Sequence, residues 1–229
     1  MRRGMLLILG FGVGGMMVLV LVWAVQAQRD STQTIGFWQY DSFYPRSVMG
    51  TELLAVGASR YDGPFWEDGS NQEVAGVASL VVENQGGLLV TKGAVILETG
   101  EERMVFEFSF LPPGEKVLVL EKDRKPYTYQ NPVTCYGWTR EEYPENPGLI
   151  SVDSVGIGGL TLTNHTGYTV PGVEVQYKNY DPENGIFLGG ITYCVRESDL
   201  LPREVRYLNP VYYSAWDSRV VRILQEMDR

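Results

Sequence analysis

The chain has 229 residues and a formal net charge of −9, from 19 lysines and arginines against 28 aspartates and glutamates. This acidic balance argues against binding to nucleic acid or to anionic lipid by charge, since both require a basic protein surface. The 26 glycines, 12 prolines and 14 tyrosines favour β structure, and the length suits one or two domains with cores of their own.

The first predicted element is a transmembrane helix in the uncharged run from Gly4 to Gln28. As a helix this run spans roughly 37 Å, which exceeds the bilayer hydrocarbon core of about 30 Å. Arg2 and Arg3 precede the run, which predicts a cytoplasmic N-terminus and an extracytoplasmic remainder. Residues 1–28 are therefore expected to be a single-pass anchor. The exported remainder has 17 basic and 28 acidic residues, a net charge of −11.

A cleaved signal peptide is the alternative for the same segment. Val25-Gln26-Ala27 fits a cleavage site with small residues at its ends, and the two arginines fit a positively charged start. The apolar stretch is longer than the usual range of about 7 to 15 residues, which favours the uncleaved anchor. Both interpretations export the rest of the chain.

Residues 29–47 are predicted to form a polar stalk. Its aromatic residues suit either the membrane interface or packing on the first domain: Phe37, Trp38, Tyr40, Phe43 and Tyr44.

Alternation of apolar and polar residues predicts antiparallel β-strands in the exported part. The clearest alternation occurs in three segments, Met104–Phe110, Leu160–Thr163 and Val173–Lys178. Val117–Leu120 is apolar on both faces, which predicts a central strand. In the last segment, Val220–Met227, both helical and strand spacing fit the apolar residues, and we favour a closing strand.

The strand pattern contains an internal repeat. Leu80–Gly87 resembles Leu160–Gly167, because in each a strand is followed by Asn-x-x-Gly. A Leu-Pro turn comes later in both copies, at Leu111 and at Leu201. The greater separation in the second copy fits an enlarged hairpin around Asn179–Gly190, in which the pair of glycines at its end indicates a bulge or tight bend. The fold class expected is all-β, with two tandem antiparallel β-sandwich domains at residues 48–142 and 147–229.

This order of strand, Asn-x-x-Gly, strand and Leu-Pro turn resembles the FxLyD-type sandwich domains of bacterial surface proteins. The closest stretch to the family signature Phe-x-Leu-Tyr-Asp is Tyr177-Lys178-Asn179-Tyr180-Asp181, where Tyr replaces Phe and Asn replaces Leu. The first copy has no such stretch. The resemblance implies an envelope protein of a Gram-positive bacterium and a sandwich architecture, and it carries over no functional residues.

The densest cluster of functional side chains lies in Tyr61–Ser70, with three carboxylates, two glycines and three aromatic rings. Asp62, Glu67 and Asp68 are candidate ligands for calcium, because Ca²⁺ takes about six to eight oxygens. Their spacing is not that of an EF-hand loop. The simpler interpretation is a long turn whose carboxylates bond to local backbone amides. A carbohydrate platform on Trp66 is the third interpretation.

Outside this cluster the sequence predicts no catalytic residue. His165 is the only histidine, and its position in an Asn-His-Thr-Gly turn indicates an exposed residue. Gly156–Gly159 lacks the spacing of a phosphate-binding loop and is expected to lead into the following strand. Cys135 and Cys194 either form a disulfide, which an oxidising compartment permits, or are two buried thiols.

The expected function is that of a non-enzymatic, membrane-anchored extracytoplasmic protein. It would serve as a binding or structural module of the cell envelope, with a protein or glycan partner and no nucleic acid. The alternative is an anchored carbohydrate-active or calcium-dependent enzyme that uses the Asp62–Asp68 segment, in which paired carboxylates would have to face each other about 5 to 10 Å apart.

Overall fold

A computed structural model describes residues 45–70, 72–127, 133–143 and 148–226, and the predicted anchor lies outside these ranges. The described chain is all-β. Its strands are β1 (Arg46–Ser47), β2 (Leu53–Phe65), β3 (Gln72–Asn84), β4 (Leu89–Thr99), β5 (Glu102–Leu111), β6 (Lys116–Leu120), β7 (Val133–Glu142), β8 (Ile150–Val155), β9 (Gly159–Asn164), β10 (Val170–Asp181), β11 (Ile186–Leu188), β12 (Tyr193–Leu200), β13 (Val205–Leu208) and β14 (Ser218–Glu226). Within these residues, no helix is long and apolar enough to span a bilayer.

The same strand connectivity occurs twice along the chain. In the first half, residues 45–143, β3 pairs with β2 and β6, and β4 pairs with β5 and β7, all antiparallel. In the second half, residues 148–226, β9 pairs with β8 and β13, and β10 pairs with β12 and β14, again antiparallel. Each half therefore contains two groups of three paired strands, and the six strands follow each other along the chain in the same order in both halves.

The two halves share one sheet through β11. This three-residue strand pairs with β10 of its own half and lies parallel to β6 of the first half. β1, which occupies the last two positions of the predicted stalk, pairs with β2 at the far side of the same sheet. The β6 edge is thereby covered, and Val117–Leu120 lies between two strands, as predicted.

Two clusters of buried apolar side chains form the core, one centred on each half. The first includes Phe106 from β5 and Phe187 from β11, and the second includes Tyr177 from β10. Alternation places these side chains, since successive residues of a strand point to opposite faces and burial of the apolar face drives folding. The predicted alternation is confirmed in β9 and in β5 from Met104 to Phe108, but in β10 it fails at Gln176 and Lys178, which are both buried.

Asn84 and Asn164 play the same structural role in the two halves, which confirms the predicted correspondence between them. Each is almost fully buried, and each side-chain NH₂ donates to the carbonyl four residues later, at 2.8 Å in Asn84 and 2.9 Å in Asn164. Each side-chain oxygen accepts a backbone N–H two residues on. The NH₂ groups also reach the carbonyls of Leu111 and Leu200, at 3.0 and 3.1 Å.

The predicted equivalence of Leu111 with Leu201 is wrong by one residue. Leu111 pairs with Val90, and in the same place of the second half Leu200, not Leu201, pairs with Val170. Both leucines are fully buried. The Leu-Pro sequence occurs in both halves but does not mark equivalent positions. The equivalent positions are those at which the leucine is buried and its carbonyl accepts a hydrogen bond from the asparagine.

Both cysteines are free thiols, so no disulfide links them. Cys135 is buried on β7, as expected of a structural thiol. Cys194 is exposed, and its expected burial is therefore wrong. It pairs with Gln176 and lies on the face of β12 opposite to Val195, which packs against the second core cluster. The favoured closing strand is confirmed as β14.

We expect Asn164→Ala to lower the free energy of unfolding by about 3 kcal/mol or more, since it leaves three carbonyls without their donor in a buried site. Urea unfolding measures the loss. Asn184→Ala is the matched control, because Asn184 is exposed and its side chain bonds to Asp181 in a surface turn. An equal loss in both variants would contradict the structural role of Asn164.

Candidate functional site

The three predicted calcium ligands bond to different parts of the chain, with Asp62 inside β2 and Glu67 and Asp68 in the segment that follows it. Asp62 accepts the backbone N–H of Gly76 at 2.7 Å. Asp68 accepts the N–H of Ser70 at 2.9 Å and pairs with Arg124 at 2.8 Å. Within the described residues, no three histidine, cysteine, aspartate or glutamate side chains form a metal-binding group. The calcium site stays a prediction. Asp68 makes the local backbone bond of the simpler turn interpretation, whereas Asp62 bonds to Gly76 on the neighbouring strand β3.

Glu67 has a different environment from its two neighbours. One carboxylate oxygen accepts the N–H of Leu120 at the end of β6, at 2.7 Å, and the other accepts the N–H of Gly190 at 2.5 Å. Burial raises the pKa of Glu67 to about 7, although these two hydrogen bonds oppose the rise. The carboxylate therefore connects the segment after β2 to residues from both halves.

Lys178 is fully buried and contacts the same residue, Gly190. Its ammonium donates to the carbonyl of Ser109 at 2.7 Å and to that of Gly190 at 3.3 Å. Burial lowers the pKa of Lys178 to about 7, and the attraction of Glu67 opposes that fall. Glu67 and Lys178 thus bind the N–H and the C=O of the same residue, so Gly190 bridges the two charged groups.

The position of Gly190 follows from a bulge between β11 and β12. Tyr180 pairs with Phe187, whereas Tyr177 pairs with Tyr193, so three steps along β10 correspond to six on the other strand. This confirms the predicted bulge. The extra residues place Gly190 against β5, where its carbonyl also accepts the N–H of Ser109 at 3.1 Å. A Cβ at Gly190 would lie 2.2 Å from the carbonyl oxygen of Glu107, so no larger residue fits there without displacing the backbone.

A cleft of about 660 Å³ opens beside this bulge. Two ion pairs lie along it, Lys122 with Glu107 at 3.2 Å and Arg124 with Asp68 at 2.8 Å. The Arg124 guanidinium also lies over the Phe65 ring, 4.4 Å from its centroid. All four charged side chains of these pairs are substantially exposed, and such pairs contribute about 0 to 1 kcal/mol each. These four charged groups are therefore paired with each other along the cleft, which Lys92 also lines.

A second feature is an exposed apolar surface in the second half, here called the aromatic surface and comprising Ile157, Tyr207, Val211, Tyr212 and Trp216. Each of these side chains is between 60% and 75% exposed. The Ala215 N–H donates to the carbonyl of Ile157 at 2.8 Å, which joins the turn before β9 to the segment before β14. Aromatic side chains exposed together are typical of binding surfaces.

Backbone and ring contacts hold the aromatic surface in place. Tyr212 has a φ of 64°, an uncommon conformation for a residue with a side chain. Its ring lies 5.5 Å from that of Tyr193, which in turn stacks on the buried ring of Tyr177 at 5.6 Å. The exposed ring is thus connected to the core by a chain of aromatic contacts.

The sequence indicated Glu67 but missed Lys178 and the aromatic surface. Lys178 occupies a polar position in the alternation of β10, which predicts exposure, and only the packing of the first half against that face buries it. The exposed tyrosines lie in segments without a strong pattern. His165 is exposed and its Nε2 lies 2.9 Å from the Ser151 hydroxyl, as expected of a turn residue.

The shifted pKa values of Glu67 and Lys178 make the free energy of unfolding depend on pH in opposite directions. The folded-state pKa of Glu67 is raised, so its contribution is present below its ordinary pKa of 4.5 and is lost as the pH rises through about 7. The pKa of Lys178 is lowered, so its contribution is present above 10.5 and is lost as the pH falls through about 7. Both contributions are therefore weakest near neutral pH.

We expect Lys178→Met to reduce the rise in unfolding free energy between pH 7 and pH 10, because the variant has no buried amine to deprotonate. One proton corresponds to a slope of about 1.4 kcal/mol per pH unit. Denaturant unfolding at several pH values measures the slope. Lys122→Met, which removes an exposed amine at the cleft, should keep the wild-type slope. Identical slopes in wild type and Lys178→Met would contradict the prediction.

Comparison with known proteins finds no relative. No family model, no curated protein and no solved structure matches the chain. The resemblance to FxLyD-type domains therefore has no relative that tests it.

Proposed function

We propose that the chain is a non-enzymatic binding module of the cell envelope, anchored by its N-terminal segment and displayed outside the membrane. The observation that carries this proposal is the aromatic surface, where Tyr207, Tyr212 and Trp216 are each at least 60% exposed. Exposed tyrosine and tryptophan side chains offer large contact areas at low entropic cost, and partners of such surfaces are proteins or glycans.

We propose further that the module consists of two tandem β-sandwich domains. The repeated connectivity supports this, because β2, β3 and β6 correspond to β8, β9 and β13, and β5, β4 and β7 correspond to β12, β10 and β14. The two buried clusters, one for each copy, also support it. β11 and the bulge would then fasten one domain to the other.

The contacts of the charged groups favour binding over catalysis. A hydrolase would need a carboxylate directed at a substrate, but both oxygens of Glu67 accept backbone N–H groups. Asp68 is paired with Arg124, and Glu107 is paired with Lys122. These bonds support a structural role for the carboxylates.

The location outside the cell is supported by the sequence. The uncharged run from Gly4 to Gln28 is long enough to span a bilayer, and Arg2 and Arg3 orient it with the N-terminus inside. The acidic remainder suits solubility in an extracytoplasmic compartment. The resemblance of Tyr177–Asp181 to the FxLyD signature agrees with an envelope protein.

A photo-crosslinking amino acid at position 216, introduced in the cells that make the protein, tests the binding surface. We expect illumination to give a discrete crosslinked species, because the Trp216 side chain is 72% exposed on the aromatic surface. The control position is Tyr143, which is 79% exposed in the first half and lies outside that surface. Crosslinks of equal yield at both positions, or none at 216, would contradict the proposal.

Protease treatment of intact Gram-positive cells tests the orientation. A full-length chain with a C-terminal tag should remain in the membrane fraction and lose its tag to external protease. The matched control lacks residues 4–28 and should keep its tag, because it stays in the cytoplasm. A tag that is protected in the full-length chain would refute the orientation, whereas release of an intact ectodomain into the medium would favour the cleaved signal peptide.

A further inference from the structure

The edge of β6 shows how a short strand is added to this fold. Phe187 of β11 pairs with Val117 and Leu188 pairs with Leu118, in parallel register. The Gly189 N–H donates to the Leu118 carbonyl at 2.8 Å. The addition buries both partners, since Phe187 is 0% and Leu118 is 2% exposed. Three residues from another part of the chain thus close one edge of the first half.

β13 is the equivalent of β6 in the second half. Both strands follow a glutamate whose N–H bonds to a carbonyl three residues back, Glu115 to Pro112 and Glu204 to Leu201. Lys116 pairs with Glu83 as Val205 pairs with Thr163, one position before the buried asparagine in each case. Counted from the glutamates, Tyr207 therefore stands where Leu118 stands.

The two equivalent edges differ in what covers them. In the described part of the chain β13 pairs with β9 alone, so its second edge faces no strand. Tyr207 is 60% exposed where Leu118 is 2% exposed, and Val205 is 62% exposed. Natural proteins protect sheet edges with charges, proline, bulges or covering segments. On β13 the charged side chain of Arg206 is bonded to Glu197 and Glu204, and Val205 and Tyr207 are exposed beside it, so this edge is suited to receive a strand.

The backbone groups of Tyr207 are directed to this open edge. The carbonyl of Leu118 points away from β3 and toward β11, since it accepts the Gly189 N–H. The N–H and C=O of one strand residue point to the same side. By the correspondence, the N–H and C=O of Tyr207 point away from β9 and are available to an incoming strand.

The neighbouring charge indicates what the incoming strand would carry. Arg206 stands where Val117 stands, and it already pairs with Glu197 at 3.2 Å and Glu204 at 2.9 Å. An acidic residue beside it would meet two carboxylates. An aromatic ring suits the face of a guanidinium, and the ring centroid of Phe187 on β11 lies 5.8 Å from the Arg219 guanidinium.

We propose that the free edge of β13 binds an extended apolar segment of a partner protein, with an aromatic residue at its centre, which adds as a parallel strand in the way that β11 adds to β6. The proposal rests on the proposed binding function and names the class of partner. Main-chain hydrogen bonds would supply affinity, and contacts with Val205 and Tyr207 would supply selectivity.

The probe is a fluorescent peptide with the sequence of residues 183–190, which contains β11, titrated into the full-length chain in detergent. We expect saturable binding by fluorescence anisotropy, and none by a scrambled peptide of the same composition. Tyr207→Pro should weaken binding roughly tenfold or more, because proline removes the N–H at the edge. Tyr143→Ala, which removes an exposed aromatic side chain of the first half outside the aromatic surface, is the matched control and should bind as wild type does.

Hydrogen–deuterium exchange of the wild-type chain gives a second readout that does not depend on a variant. We expect added peptide to slow exchange in Val205–Leu208.

Absence of saturable binding, or equal binding by Tyr207→Pro, would overturn the proposal. Protection of β6 alone would also overturn it, since the peptide would then have replaced β11. Self-association of the chain that Tyr207→Pro abolishes would replace the partner by a second copy. A crosslink at position 216 with no peptide binding would leave the binding function standing and remove only the β13 site.

Discussion

The arrangement of the two halves depends on how Gly190 is bonded. Its N–H is held by Glu67, and its C=O accepts Lys178 and Ser109. Removing a charged side chain from water costs several kcal/mol, so a buried lysine persists only where fixed acceptors surround it. Such a site is satisfied in one geometry only, because a small shift of the bulge would leave a buried ammonium without its carbonyls. We infer that Glu67 and Lys178 determine where the bulge lies against β5 more than they contribute to the stability of that contact.

The position of the bulge against β5 explains the contacts around it. Once the bulge lies against β5, β11 reaches the edge of β6, and Phe187 enters the first core cluster. β14 then lies close enough for Arg222 to pair with Glu142 at 2.7 Å and for Arg219 to pair with Glu115 at 2.9 Å. Hydrogen bonds, apolar burial and ion pairs therefore all act across the same boundary.

The sequence predicted six of the strands and the repeat because both depend on local pattern. Alternation located β5, β9 and β10, and the Asn-x-x-Gly turns located the two buried asparagines. It did not predict β11, whose three residues are too few to show a period. It also placed Lys178 on a solvent face, because alternation distinguishes the two faces of a strand but not what covers the second one. The sequence therefore indicated Glu67 as part of the candidate site but did not indicate its partners Gly190 and Lys178.

The two halves differ in their exposed surfaces because their equivalent edges are covered differently. β11 pairs with β6 in the first half, whereas among the described residues β13 of the second half pairs with β9 alone. Among the described residues, nine of the twelve exposed large apolar side chains lie in the second half. Leu118 is buried beside β11 in the first half, and its equivalent Tyr207 is 60% exposed in the second. The edge proposed to bind a partner is therefore the one whose equivalent β11 closes, so the proposed binding site follows from the same strand pairing that joins the two halves.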